Sequence, residues 1–233
     1  IPQLRPDGKT EVVVEYNEDL SRALRFAAVL ISTQHSPEIS VEDVRSQVRE
    51  QVLEPVLDTF GLDYSEARIV INRTPFIQGG PHSDAGLTGR KVIVDTYGGI
   101  AAHGGGAFSG KDPHKADRSE AYAARWAAKN IVAAGLAHRA QVTLGFILGQ
   151  GAPVSIDVET YGTETVPREI IQKAVEQVFD FRLLSIIDQL DLERPIYYKT
   201  AAYGHFGHDD PDYTWERLDK VDALKDAVQK VRL

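Results

Sequence analysis

GGPHSDAGLTGRKVIVDTYGGIAAHGGGAFSGKDPHKADRS, residues 79–119, is the stretch that organises the reading of this chain. Glycines cluster at Gly79-Gly80, Gly86, Gly89, Gly98-Gly99, Gly104 to Gly106 and Gly110. Cations sit among them at Arg90, Lys91, Lys111, Lys115 and Arg118, with Asp84, Asp95, Asp112 and Asp117 interleaved. Glycine lets a backbone approach a ligand and converge its N–H groups on an anion. Lysine and arginine then neutralise the charge. The stretch carries five basic residues against four acidic ones, while the whole chain carries −8. A lone glycine cluster reads as a turn, and a lone lysine as a solvated face. Several of each in one window read as a cradle for a phosphate-rich small molecule. Residues Gly105 to Lys111 fit the start of a P-loop, but Asp112 stands where magnesium coordination needs Ser or Thr, so a Walker-type site is disfavoured.

Outward from that stretch, 42% hydrophobic and 26% charged residues among 233 describe an ordinary globular chain with room for a real core. With no cysteine, disulfides and Cys-based zinc sites are excluded. The longest apolar run, Phe26 to Ile31, is far short of the about 20 residues that span a bilayer. Net acidity argues against general nucleic-acid binding. Neither a membrane nor a nucleic-acid partner is expected, and a cytoplasmic location is. No basic-then-apolar leader is read at the N-terminus. The chain opens at Ile1 without any methionine, so it is expected to be a piece of a longer product.

Leu4 to Lys9 reads as a turn before a strand from Thr10 to Tyr16. A second strand is predicted from Arg25 to Ser32, with His35 near its end as a packing or capping residue. Ser40 to Glu54 reads as a helix, capped by Ser40 with Asp43 and halted by Pro55. Its apolar face is Val41, Val44, Val48 and Val52. Short strands follow at Arg68 to Asn72 and Lys91 to Thr96, the latter buried. A helix runs from Asp117, which caps its own N-terminus in the simplest reading, to Ala134, with Gly135 ending it. Strands Gln141 to Leu148 and Val154 to Thr160 form a hairpin. Helices are predicted at Pro167 to Phe179 and Leu184 to Leu190. Thr200 to Gly207 reads as a surface loop and Leu218 to Val228 as an exposed amphipathic helix. Helices and paired strands interleave, so the class is α+β or mixed α/β.

The motifs GGP-x-x-DAGLTGRK, VDTYGG and HGGGAFSGKDP-x-K-x-DRS-x-AYAARWAAKN are similar to those of the S-adenosylmethionine synthetases, also called methionine adenosyltransferases. LRPDGKT at residues 4–10, STQHS at 32–36 and TAAYGHFG at 200–207 match in the same order, so the resemblance covers essentially the whole chain. Family members are longer, with an N-terminal region carrying a His-Pro-Asp motif and a mobile loop that have no counterpart here. The resemblance implies three similar α+β modules around a pseudo-threefold axis, incomplete in this chain. It divides the chain into a module at 1–80, a Gly-rich active-site segment of the central module at 81–118, and a C-terminal module at 119–233.

It also implies a reaction: methionine sulfur attacks C5′ of ATP, and the expelled triphosphate is hydrolysed to phosphate and diphosphate. Arg90, Lys91, Lys111 and Lys115 would then clamp the phosphates, with Arg90, Lys111 and Lys115 directly catalytic. Asp117 would ligate Mg2+, and K+ is a further expected cofactor. Asp7, Gly8, Lys9, Phe76 and Asp84 would contact ATP, Phe76 lying on adenine. Asp84, Ala107 and Lys115 would bind L-methionine. The implied partner is a second copy in a dimer or tetramer with sites at subunit interfaces, or a different chain carrying the N-terminal region. The alternative is a non-catalytic or regulatory subunit. The chain departs from the family pattern at Ser83, where glycine is usual and a φ above zero would cost about 1 kcal/mol. It departs again where NPTGRF is shortened to Asn72-Arg73-Thr74-Pro75-Phe76, with Pro75 replacing an arginine.

Overall fold

The structure is a computed structural model and describes residues 1–147 and 149–232. The chain forms two compact units, Ile1–Gly86 and Leu87–Leu233, both built of helices and small sheets. The expected α+β class holds.

In the first unit, β1 (Leu4–Tyr16) pairs antiparallel with β2 (Ala23–His35), which pairs parallel with β3 (Arg68–Ile71). The turn expected at Leu4 to Lys9 is instead the start of β1. Its Pro-Asp-Gly chemistry is expressed as an irregularity, since the pairing shifts register between Leu4 and Gly8. Between β2 and β3 the chain crosses over through helices. Ser40 caps α1 (Val41–Val48) as predicted, its hydroxyl accepting from the Asp43 N–H at 3.0 Å. Helical structure does not stop at Pro55. A wider turn over Arg49–Leu53, in which Glu54 N–H reaches the Arg49 carbonyl, leads into α2 (Glu54–Asp58). Pro55 sits in the first turn of α2, just after that wider turn, and has no N–H to give. Val44, Val48, Leu53 and Leu57 bury against Phe26, Val29 and Ile71 of the sheet, while Val52 is exposed.

The second unit is held by α3 (Ala116–Ala133), the antiparallel pair β4 (Gln141–Gly145) and β5 (Ser155–Glu159), α4 (Arg168–Val178), α5 (Leu183–Gln189) and α6 (Val221–Arg232). Ala123 and Ala127 are wholly buried, as an alanine-rich packing face requires. Gly135 follows α3 at φ +71°, the left-handed conformation that closes helices at little cost to glycine. Pro167 caps α4. The expected hairpin is present; Leu148, predicted at the end of its first strand, lies outside the described residues.

Three expectations are corrected here. Lys91 to Thr96 is a run of turns, closed by Asp95 N–H to Lys91 O at 2.9 Å and Gly98 N–H to Ile93 O at 2.8 Å. Val94 is 74% exposed, so β-branched composition alone did not make a buried strand there. The Thr200 to Gly207 loop is only partly superficial, because Tyr203 is exposed but His205 is buried. Helix α6 is not an exposed appendage. Its Leu224, Ala227 and Val228 are buried in the unit's main core, and it packs on α4 and α3.

Candidate functional site

Two of the expected nucleotide-contacting residues of the first unit, Asp7 and Phe76, meet at Gly79. Asp7, in the irregular start of β1, accepts the Gly80 N–H at 2.7 Å. A Cβ at Gly79 would come within 2.9 Å of Asp7, Gln34 and the Phe76 ring alike, so only glycine permits this convergence. Phe76 is bracketed by His35, which is buried. The Phe76 N–H donates to His35 Nε2 at 3.2 Å, and the His35 N–H donates to Phe76 O at 2.9 Å. The packing reading of His35 is correct. Gly8 faces the Ser32 carbonyl, Lys9 pairs across the strand with Ser32, and Asp84 is exposed, its N–H bonded to Gly80 O. Ser83 has φ −100°, an ordinary conformation, so the expected cost of replacing glycine there does not arise.

In the second unit the Gly-rich loops fold onto the start of α3. Lys111 is hydrogen-bonded and ion-paired to Asp117. Asp117 is therefore held by a cation, and the helix it opens has no side-chain cap. Gly106 lies so close that a Cβ would stand 2.5 Å from the Asp117 Cγ. Gly89, at φ +85°, likewise abuts Ala107, leaving 2.6 Å for a Cβ. Lys115 is exposed and 3.9 Å from Asp112, a contact worth little in water. Arg90 and Lys91 are exposed and, among the described residues, have no ion-pair partner. Glu120, next along the helix face, is pushed up to about 7 by its burial and then by the Asp117 charge.

Magnesium takes about six oxygen ligands and is commonly held by one or two carboxylates plus substrate phosphates. Among the described residues no three His, Asp or Glu side chains are grouped to hold a metal. Asp117, an exposed carboxylate paired with Lys111, has the chemistry to contribute one oxygen ligand but not a site by itself.

Sequence reasoning missed the buried polar system beneath these loops. Arg118 counts among the window's cations in sequence, yet it is buried. Its guanidinium donates to Lys111 O at 2.8 Å and to the Tyr122 hydroxyl at 3.1 Å, and lies 4.0 Å from the Tyr197 ring centre. His205 Nδ1 is 2.7 Å from the Tyr122 hydroxyl and Nε2 is 3.3 Å from Ser109 Oγ. His103 accepts the Gly105 N–H at Nδ1 and stacks on Phe108. The one signal available was a histidine set between aromatics and glycines in TAAYGHFG.

Burial pushes the His205 imidazole down to about 4, and the nearby charge of Arg118 and then of His208 push the same way. Its folded value lies below its unfolded one of about 6.5, so between those values the unfolded chain binds more protons. The stability His205 contributes is complete above pH 6.5 and is lost as pH falls toward 4. Urea unfolding at pH 7.5 and pH 4.5 should show a loss about 2 kcal/mol larger for the wild type than for His205→Gln, after allowing for partial solvent screening. An equal pH dependence in the two chains would refute this.

The fold and its glycine-rich loops define an α+β protein of two compact units with cations held at loop ends. Residues 1–76 match the central domain of S-adenosylmethionine synthetase and residues 78–217 match its C-terminal domain, and the chain belongs to the S-adenosylmethionine synthetase family. It is 60% identical to the S-adenosylmethionine synthase of Bifidobacterium adolescentis over 98% of this chain and 58% of that protein. The S-adenosylmethionine synthases of Corynebacterium kroppenstedtii and Mycolicibacterium paratuberculosis are 55% and 56% identical, over 99% and 98% of this chain and 58% and 57% of their own lengths. The chain therefore spans somewhat over half the length of the curated relatives it matches. Among the described residues no helix is long and apolar enough to cross a membrane.

Proposed function

We propose that this chain supplies the central and C-terminal part of a methionine adenosyltransferase that makes S-adenosylmethionine from ATP and L-methionine. The observation that carries the reading is the second unit's cation loop, where Gly106, Lys111 and Asp117 converge at the start of α3. The leaving group is a triphosphate, and its departure requires fixed positive charge. Lys111, Lys115, Arg90 and Lys91 provide that charge. In the absence of phosphate Lys111 is neutralised by Asp117, and an arriving polyphosphate competes for it. Asp117 would then be the residue of this chain that holds a Mg2+, whose charge would add to that of the lysines and Arg90. Asp7, Gly8, Lys9, Phe76 and Asp84 contact the nucleotide, and Asp84, Ala107 and Lys115 contact methionine. K+ is the second proposed ion. Residues 81–118 act as the Gly-rich active-site segment, and the location is cytoplasmic.

Asp117→Asn keeps the shape and removes the charge. In an assembly that forms S-adenosylmethionine, it should raise the magnesium needed for half-maximal rate by about tenfold. An unaltered magnesium titration would remove Asp117 from the metal role.

A second reading is a non-catalytic or regulatory subunit that works with a partner chain, and the departure from the family pattern at Pro75 favours it. Both readings place sites at subunit interfaces. Native mass spectrometry of the purified protein should find a dimer or larger complex, either of this chain alone or with a second polypeptide. A monomer at micromolar concentration, alone in the sample, would count against both.

A further inference from the structure

We propose that His205 is a positioning residue for the cation loop: with Tyr122, Arg118 and Ser109 it fixes residues 108–111 so that Lys111 is presented to an anion. The directions of the hydrogen bonds follow from the donors available. A guanidinium can only donate, so the Tyr122 hydroxyl oxygen accepts from Arg118 Nε at 3.1 Å. The Tyr122 hydroxyl proton then has His205 Nδ1 to meet, at 2.7 Å. Nδ1 is the acceptor, Nε2 carries the ring proton, and that proton points to Ser109 Oγ at 3.3 Å. In the opposite tautomer Nδ1 would donate to the Tyr122 oxygen and Ser109 to Nε2, and the tyrosine proton would be left without a partner among these groups.

The loop is therefore tied at two places. At Ser109 it is held by His205, and at Lys111 its carbonyl accepts from Arg118 Nη1 at 2.8 Å. Between them stands Gly110 at φ +88°, a conformation other residues adopt only with strain. Phe108 is clamped edge-on by the His205 and Tyr122 rings, with centroids at 5.1 and 5.5 Å. Arg118, Tyr122 and His205 are at most 3% exposed, so water cannot readily substitute for any member. The base of the system is fixed in turn. The His205 N–H donates to Asp95 O at 2.8 Å, and its carbonyl accepts from Trp215 Nε1 at 2.8 Å. Only beyond this anchored segment does the Lys111 side chain reach out to Asp117. That Lys111 meets a phosphate rests on the function proposed above; the anchoring of the loop does not.

The test uses the intact chain and inorganic triphosphate as the probe. By calorimetry, Ser109→Ala and His205→Phe should each weaken triphosphate binding about tenfold, the effect of losing one buried hydrogen bond. His205→Gln, which retains an acceptor and a donor, should recover most of that loss. Wild-type affinity in both Ser109→Ala and His205→Phe would overturn the inference. If the wild-type chain binds no triphosphate, the phosphate reading fails, and amide hydrogen exchange decides the anchoring instead. Exchange at the Lys111 amide should then be about tenfold faster in Ser109→Ala than in wild type. Equal rates would overturn the anchoring. Ser109 is only half-buried, so that variant remains informative if His205→Phe does not fold. Imidazole nitrogen resonances supply an independent check. Nδ1 should be bare and Nε2 protonated across pH 5.5 to 8, and an imidazole with neither nitrogen hydrogen-bonded would also overturn the proposal.

Discussion

Replacing Lys111 by alanine in an S-adenosylmethionine-forming assembly should lower the rate of formation by about a hundred- to a thousandfold. Lys111 is held over the start of α3 by backbone anchors and faces Asp117. The charge that it would meet grows as C5′ leaves the triphosphate, so its effect belongs mainly to the rate constant and less to ground-state binding. Lys115→Ala should act the same way, by a similar factor. Lys111→Arg should restore little, because a planar fork cannot occupy the place of a compact ammonium. The loss would not be one of folding. The Lys111 and Asp117 side chains are 31% and 54% exposed, and such pairs contribute about 1 kcal/mol or less. Single-turnover rates, with urea unfolding run beside them, separate the two explanations. Unchanged turnover in both alanine variants would remove these lysines from the phosphate clamp.

Trp215→Ala should destabilise the second unit by about 3–5 kcal/mol. The indole is wholly buried, stacks on Tyr122 with centroids 3.7 Å apart, and meets Tyr213 edge-on at 5.5 Å. Its Nε1 also donates to the His205 carbonyl at 2.8 Å. Truncation therefore opens a cavity, strips Tyr122 of its stacking partner and leaves a buried carbonyl unpaired. Trp215→Phe keeps most of the volume and loses the N–H, and should cost about half as much. The two variants together separate packing from the hydrogen bond. Urea unfolding of the chain is the measurement. A cost below about 1 kcal/mol for the alanine variant would mean that this aromatic cluster does not hold the unit together.

Much of the framework could be read locally. Ser40 with Asp43 starts a helix because a hydroxyl three residues upstream can satisfy a free N–H, and that needs no distant partner. Gly135 closes α3 and Pro167 opens α4 for similarly local reasons. The glycine and lysine motifs were also legible, because the anion chemistry they suit depends on residue type and spacing. The sequence alone thus settled the α+β class, the hairpin, most helices and the family.

Long-range packing decided the rest. Lys91 to Thr96 has the β-branched residues of a strand, but a strand needs a hydrogen-bonded neighbour, and here local turn bonds take its amides. Helix α6 shows its apolar stripe in sequence, while its burial depends on α4 and α3 being there to receive Leu224. Arg118 reads in sequence as one more of the cations that would meet an anion. Only the approach of residues 197–205, some eighty positions later, buries it against Tyr197 and Thr200 and turns its charge inward. The same approach brings His205 to Tyr122 and Ser109. No spacing rule predicts such a meeting, because it is fixed by how the core of the second unit closes.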